Sequence, residues 1–310
     1  MSKMQPDVTK IVIKDNLRLI HEFLSEVILA PRTTMIKWSR ITSQTPNLKI
    51  GYPGQHLASL ITGMKGTSTG ARGEDITDGT EVKSCSRIDQ VDKCKDCGNR
   101  VMRSQMCCPQ CGSENIKRND DSKWLIAIRN ENELDLYLNK IPRMLFLISD
   151  YPFFENGDFD TLRFTTYEIW NQSDRAVNFR KLLTDYYKNI YCEHTKRDRN
   201  KTPAPKNFWP YSQQFYMCNP IKTFECIIRN ANSETARIEI GHYIEPNVDR
   251  SNLPSEDMPV TLLNARERDI LRSNGIDIDS LSGINEHTRQ FLSLRDTAKA
   301  MPHKNEYHRM

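Results

Sequence analysis

The apolar positions of this chain change period several times, and each change marks an element. Ile20, Phe23, Leu24, Val27 and Ile28 recur at i, i+3, i+4, i+7 and i+8, the spacing of one helix face. That helix is predicted over residues 16–29, with Asp15 as its N-cap and Pro31 as its stop. Its stripe suits core packing or a dimer contact. Residues 42–53 are turn-rich, and Pro53 suits the first turn of a second helix. Leu57, Leu60, Ile61 and Met64 give that helix one apolar face, and Gly63 and Gly66 end it. Further on, residues 122–128 read as a strand, and Asn130 can cap a helix running through Leu134, Leu138 and Ile141. Residues 144–148 form an unbroken apolar run, the signature of a strand buried on both faces. Residues 162–170 alternate as a strand and 179–191 have the helical period. Residues 224–229 and 236–242 read as two strands turning at Ala231-Asn232-Ser233. From residue 257 onward the pattern is helical and basic in patches. Arg266, Arg268, Arg272, Arg289 and Arg295 there read either as DNA contacts or as solvated surface.

One short stretch departs from this packing logic. Asp78-Gly79 stands between two β-prone runs, a strong hairpin signal. The second run carries Glu81 and Lys83, two residues apart and so on one face of a strand, with Val82 on the other. A two-residue turn would bring Glu74 opposite Lys83 and leave Ile76 among charges. A three-residue loop over residues 77–79, with Gly79 left-handed, sets Asp75 opposite Glu81 and puts Ile76 and Val82 on one buried face. Burial favours the second register, with Glu74 as the alternative acid. Asp75, Glu81 and Lys83 then share a polar face. Two carboxylates offer hard oxygen ligands to Mg²⁺, and the lysine can orient a metal-bound water. The simpler reading is a surface hairpin with a cross-strand salt bridge.

Two further motifs follow, Cys94-Lys95-Asp96-Cys97-Gly98 and Cys108-Pro109-Gln110-Cys111-Gly112. Each pairs two thiols across a turn and ends it with glycine. Together Cys94, Cys97, Cys108 and Cys111 complete a tetrahedral, closed zinc site of structural type. Cys107 has no partner at a suitable spacing. Arg100, Arg103, Lys117 and Arg118 decorate this segment, as phosphate contacts or as solvated surface. A second basic stretch, residues 196–201, runs into Phe208-Trp209-Pro210-Tyr211 and reads as either a groove-reading element or a linker with an aromatic anchor.

Composition sets the outer bounds. The 310 residues are 37% hydrophobic and 27% charged, with a net charge of +4. This is enough chain for a large core or two smaller ones. The charge permits a nucleic-acid partner without arguing for one. No apolar run approaches the roughly 20 residues of a membrane span. The N-terminal residues do not read as a signal peptide, and the cysteine spacing reads as metal-binding in an intracellular, cytoplasmic protein.

Asp75 followed by Glu81-Val82-Lys83 resembles the PD-(D/E)XK nuclease superfamily, although Glu74 stands where the name has proline. The stretch from Gly73 to Trp124, with a cysteine cluster after the acid-x-lysine strand, resembles the MamI-type restriction endonucleases. The resemblance implies an α/β fold with a mixed sheet, a restriction-endonuclease-like α-β-β-β-α-β core, an inserted zinc ribbon and helical extensions. Residues 1–52 would form an N-terminal helical segment. Residues 53–150 would be the nuclease core, interrupted by the ribbon at 92–118, and 151–310 a C-terminal extension with DNA-recognition elements. It implies Mg²⁺-dependent, site-specific cleavage of double-stranded DNA by a homodimer, with Asp75 and Glu81 holding the metal and Lys83 positioning the attacking water. Some relatives carry an extra acid on the helix before the hairpin. This chain has Gln55 and His56 there, so Gln55 reads as a helix-surface residue. A repair or junction nuclease with the same core, or a zinc-ribbon nucleic-acid-binding protein without catalysis, are the alternatives.

Overall fold

A computed structural model describes residues 4–42, 44, 50–68, 75–198, 200 and 202–295. Glu74, the alternative acid, lies outside the described residues. The N-terminal stripe forms α1 (Asn16–Phe23), but the helix does not stop at Pro31. A π-helical turn, Leu24–Leu29, leads directly into α2 (Ala30–Thr42). Proline lacks an N–H and its ring crowds the carbonyl four residues back. The wider turn just before Pro31 accommodates both defects. Asp15 has a left-handed backbone, and its side chain makes no capping hydrogen bond, so the expected N-cap is not formed. Next, α3 (Gly51–Thr62) buries Leu57, Ala58 and Ile61 and ends at Gly63, whose φ of 68° needs no Cβ.

The strands follow in chain order: β1 (Glu81–Ser86), β2 (Asp92–Cys94), β3 (Arg100–Val101), β4 (Ile116–Lys117) and β5 (Trp124–Ile126). Helix α4 (Glu131–Asp135), capped by Asn130 as expected, continues through a π turn over Leu136–Lys140 into β6 (Arg143–Asp150). Then come β7 (Leu162–Trp170), α5 (Val177–Asp185), α6 (Cys192–Arg197), β8 (Lys206–Phe208) and α7 (Gln213–Met217). The chain goes on through β9 (Ile221–Arg229), β10 (Arg237–Tyr243), α8 (Ala265–Ser273) and α9 (Glu286–Arg289). The main sheet has the order β1-β6-β7-β9-β10. Strand β1 runs parallel to β6 and the other neighbours pair antiparallel, so the sheet is mixed, as expected. Three of its five strands come from beyond residue 150.

Strand β6 shows why its sequence is apolar without a break. All eight of its residues are buried. Leu145 and Leu147 face one core with α1 and α3, while Met144, Phe146 and Ile148 face a second with Trp124, Phe179 and Phe208. The strand expected at 122–128 is shorter and stays out of the main sheet. Strand β6 lies directly next to β1, and β5 pairs with β8 in a separate two-stranded sheet. Its Trp124 is fixed by an indole N–H donated to the Leu147 carbonyl at 2.8 Å.

Among the described residues after 257 the chain holds short helices joined by turns, and arginines serve as its internal fasteners. Arg289 is buried and donates to the Glu256 and Ile284 carbonyls. Arg268 donates to the Leu263 and Val260 carbonyls, and Arg295 pairs with Glu267 at 2.6 Å. These three are engaged within the fold, whereas Arg266 and Arg272 are exposed. Among the described residues no helix is long and apolar enough to cross a membrane.

On the inner face of β8, Lys206 is 6% exposed, and its ammonium donates only to the Gln214 side-chain oxygen at 3.2 Å. Burial without a carboxylate partner pulls its pKa down to about 8. Because the folded value lies below the unfolded one, the unfolded chain binds more protons between those two values, and stability rises with pH across that window. Below about pH 8 the full penalty applies. Lys206→Met should therefore raise Tm at pH 7. The gap from wild type should narrow as pH climbs from about 8 toward about 10.4, as thermal melts across that range will show.

Candidate active site and metal cluster

The expected hairpin is realised only as a tight turn. The Ile76 N–H donates to Thr80 O at 3.2 Å and the Gly79 N–H to Ile76 O at 2.8 Å, with Gly79 at φ 85°. Upstream, Ile76 bridges to Gly66 rather than to a paired strand. The loop is the three-residue one, and Ile76 and Val82 both lie in the core beneath α3, as the favoured register requires. Asp75 thus lies beside β1, where its Oδ2 accepts the Val82 N–H at 2.8 Å. Glu81 is 2% exposed. The Lys83 ammonium donates to Glu81 Oε1 at 2.5 Å. Asp75, Glu81 and Lys83 are brought together.

Helix α3 contributes a fourth group that the sequence reading placed on the surface. Gln55 Nε2 donates to Asp75 Oδ1 at 2.7 Å, so both carboxylate oxygens are held. The helix can come this close because residue 54 is glycine. A Cβ there would stand 2.0 Å from Ser84 Oγ and 3.0 Å from Ser84 Cβ on β1. The pattern of a glycine next to a glutamine carries no such message until helix and strand are seen in contact.

The electrostatics fit a cation site. Burial raises the pKa of Asp75, and the nearby Glu81 charge adds to this, while the Val82 N–H and Lys83 pull the other way. Burial would lower the pKa of Lys83, but Tyr137 and Glu81 beside it outweigh that and leave it raised. Lys83 is therefore an ammonium at neutral pH. Tyr137, fully buried on the turn after α4, had no signal in the sequence beyond its helical period.

The four cysteines also meet. Cys94, Cys97, Cys108 and Cys111 place their sulfurs within 4.8 Å of one another, a set that could hold a metal ion. Each Cys-x-x-Cys is the same knuckle. Gly98 N–H donates to Cys94 O and Gly112 N–H to Cys108 O, at 3.1 and 2.9 Å, with both glycines left-handed. Burial raises the Cys108 thiol, but the N–H groups of Cys111 and Gln110 outweigh it and hold its pKa down to about 6. Strands β2, β3 and β4 form the three-stranded sheet around this cluster. Cys107 is exposed and stands apart from it.

Two of the segment's four basic residues face inward. Asp92, fully buried, takes Arg103 at 2.9 Å and Arg118 at 2.8 Å. Arg103 lies over the rings of Phe154 and Phe159, and Arg118 over Phe159. They anchor the ribbon to the core and are not available to phosphates. Arg100 and Lys117 are exposed.

A mixed five-stranded sheet with helices, whose edge strand carries Glu81 and Lys83 and has Asp75 on the turn before it, defines the class as α/β with a candidate site at the sheet edge. Within that class the chain belongs to the MamI restriction endonuclease family, whose family model matches residues 37–261. The Type II restriction enzyme MamI of Microbacterium ammoniaphilum is 37% identical over 57 residues. That match spans 18% of this chain and 18% of the relative's length. No solved structure matches.

The approach of α3 to β1 is testable by itself. Gly54→Ala should destabilise the fold by about 1–3 kcal/mol, the range for overpacking. Ser84→Gly in the same chain should restore most of that loss, since it removes both atoms in the way. Urea melts of the two single variants and the double variant give the coupling.

Proposed function

We propose that this protein is a Type II restriction endonuclease that hydrolyses phosphodiester bonds of double-stranded DNA at a specific sequence, with Mg²⁺ as its metal. The observation that carries the reading is the convergence of two buried carboxylates and a protonated lysine at the turn before β1, in a chain of this family. Family membership favours it over a repair nuclease or a non-catalytic binding protein.

The donor set fits Mg²⁺. Asp75 and Glu81 offer hard oxygens, and their mutual repulsion, which helps to raise the Asp75 pKa, is relieved by a cation between them. When bound, the ion lowers the pKa of a water and neutralises charge on the phosphate. The protein's own groups do the positioning. Gln55 and the Val82 N–H fix the Asp75 carboxylate. Glu81 holds the Lys83 ammonium in place. Lys83, whose pKa its neighbours raise, donates to the attacking water or to a phosphoryl oxygen as negative charge builds there. One such site cuts one strand, which is the reason to expect a homodimer on a symmetric sequence. The four thiolates would hold a structural Zn²⁺, since soft ligands select zinc where carboxylates select magnesium.

Asp75→Ala, Glu81→Ala and Lys83→Ala should each lower cleavage of plasmid DNA in Mg²⁺ by at least about a hundredfold. Binding to duplex DNA should persist, because affinity rests on phosphate contacts elsewhere. A Lys83→Ala protein that cuts at the wild-type rate excludes the site. Elemental analysis should find close to one zinc per chain, retained in Cys107→Ser. Cys94→Ser should lose the metal and melt earlier, because a segment of this size draws its folding free energy from the ion.

A further inference from the structure

Beside the catalytic strand stands the small sheet of β5 and β8, whose two faces differ. On the inner face Trp124, Ile126 and Phe208 are buried in the core. On the outer face Leu125 is 49% exposed and lies directly opposite the half-buried Asn207. No described residue bonds the Asn207 side chain. One step further along, the Lys123 ammonium stands 4.7 Å from the centre of the Trp209 ring. An exposed leucine, an unbonded amide and a cation on an aromatic thus line one side of a two-stranded ribbon.

The position of that ribbon gives the face its meaning. Strand β5 packs against β1. An open groove of about 280 Å³ runs between them, lined by Ser84 and Ser86 of β1 and by Ser122 and Lys123 at the start of β5. Partly or fully exposed cations bracket β5: Lys123 precedes it and Arg129 follows it. Most other arginines near the core are held in internal ion pairs, so these positive charges mark a side of the molecule that suits a polyanion.

We propose that the outer face of the β5–β8 ribbon, formed by Lys123, Leu125, Asn207 and Trp209, is the base-reading element and enters the major groove of the DNA. This inference rests on the DNA-cleaving reading above. The major groove is wide enough for a two-stranded ribbon. A carboxamide presents a donor and an acceptor in one plane, matching N6 and N7 of adenine. Leucine methyls meet the thymine methyl, and an ammonium reaches O6 and N7 of guanine. Arg129, just past β5, would meet the backbone phosphates, a contact that carries no sequence information. Because the ribbon adjoins β1, the bases it reads flank the phosphate that is cut.

The test compares wild type, Asn207→Ala and Leu125→Ala on a library of randomised duplexes. Each is digested in Mg²⁺ and the cut ends are sequenced. In parallel, duplexes bound by the Lys83→Ala protein, with and without the ribbon substitutions, are selected and sequenced. Both substitutions are on the solvent face, and thermal melts should match wild type; Asn207→Ser serves as a second variant if Asn207→Ala does not. The expected result is a fall of about tenfold or more in cleavage of the preferred sequence, with selectivity relaxed at one or two defined positions. An unchanged sequence preference overturns the proposal, and so does a uniform loss of binding to every duplex. Wild-type protein that selects a sequence but does not cut it overturns the nuclease reading alone. Wild-type protein that cuts, with variants that share its preferred sequence, overturns the ribbon alone.

Discussion

The guanidinium of Arg143 holds the site in register. It is fully buried at the start of β6, and each of its arms is used. Nη2 donates to Asp78 at 2.7 Å, Nε to the Thr80 hydroxyl at 2.9 Å and Nη1 to Glu168 on β7 at 3.0 Å. The far oxygen of Glu168 accepts the Trp170 indole N–H and faces Arg250. A three-residue loop offers little of its own to fix Asp75 against β1. Asp78 in the loop and Thr80 just after it are tied instead to the centre of the sheet. Removing one partner from such a buried network leaves an uncompensated charge, which typically costs about 3–5 kcal/mol. The turn, and with it the approach of Asp75 to Glu81, therefore depends on a residue more than sixty positions away in the chain.

The same device recurs. Arg87, Arg103, Arg250 and Arg289 are also buried, each working against carboxylates, carbonyls or rings rather than solvent. A net charge of +4 thus overstates what those arginines offer a polyanion and understates how local the available charge is. The exposed cations that remain, such as Arg100 and Lys117 on the cysteine ribbon, Arg129 just past β5 and Arg197 at the end of α6, lie on inserted or peripheral elements. This division suits an enzyme whose core does the chemistry and whose edges meet the substrate.

The cysteine ribbon joins this framework through Asp92. Its carboxylate holds Arg103 and Arg118, which lie on the rings of Phe154 and Phe159, while the Tyr151 hydroxyl donates to the Ile88 carbonyl just past β1. Ordering the ribbon therefore bears on the far end of the strand that carries Glu81 and Lys83. The thiolate cluster and the carboxylate site are separate in chemistry and linked through packing.

By itself the sequence determined what depends on local spacing. The Cys-x-x-Cys-Gly knuckles, the extent of β7, the Asn130 cap and the three-residue loop at Gly79 all follow from rules that reach a few residues along the chain. The choice of Asp75 over a slipped register was legible because Ile76 and Val82 had to be buried together. What only the tertiary structure decided are contacts between distant segments. Gln55 joins the site because Gly54 lets α3 touch Ser84. The predicted end of the first helix at Pro31 failed because a π turn absorbed the proline, a choice set by the packing of Leu24 and Ile28. The strand at β5 stays out of the main sheet and pairs with β8, which comes from a distant part of the chain. Arg103, Arg118, Arg289 and Arg295 look like surface charges in any window of sequence. Their partners lie up to seventy residues away, where no periodicity can show them.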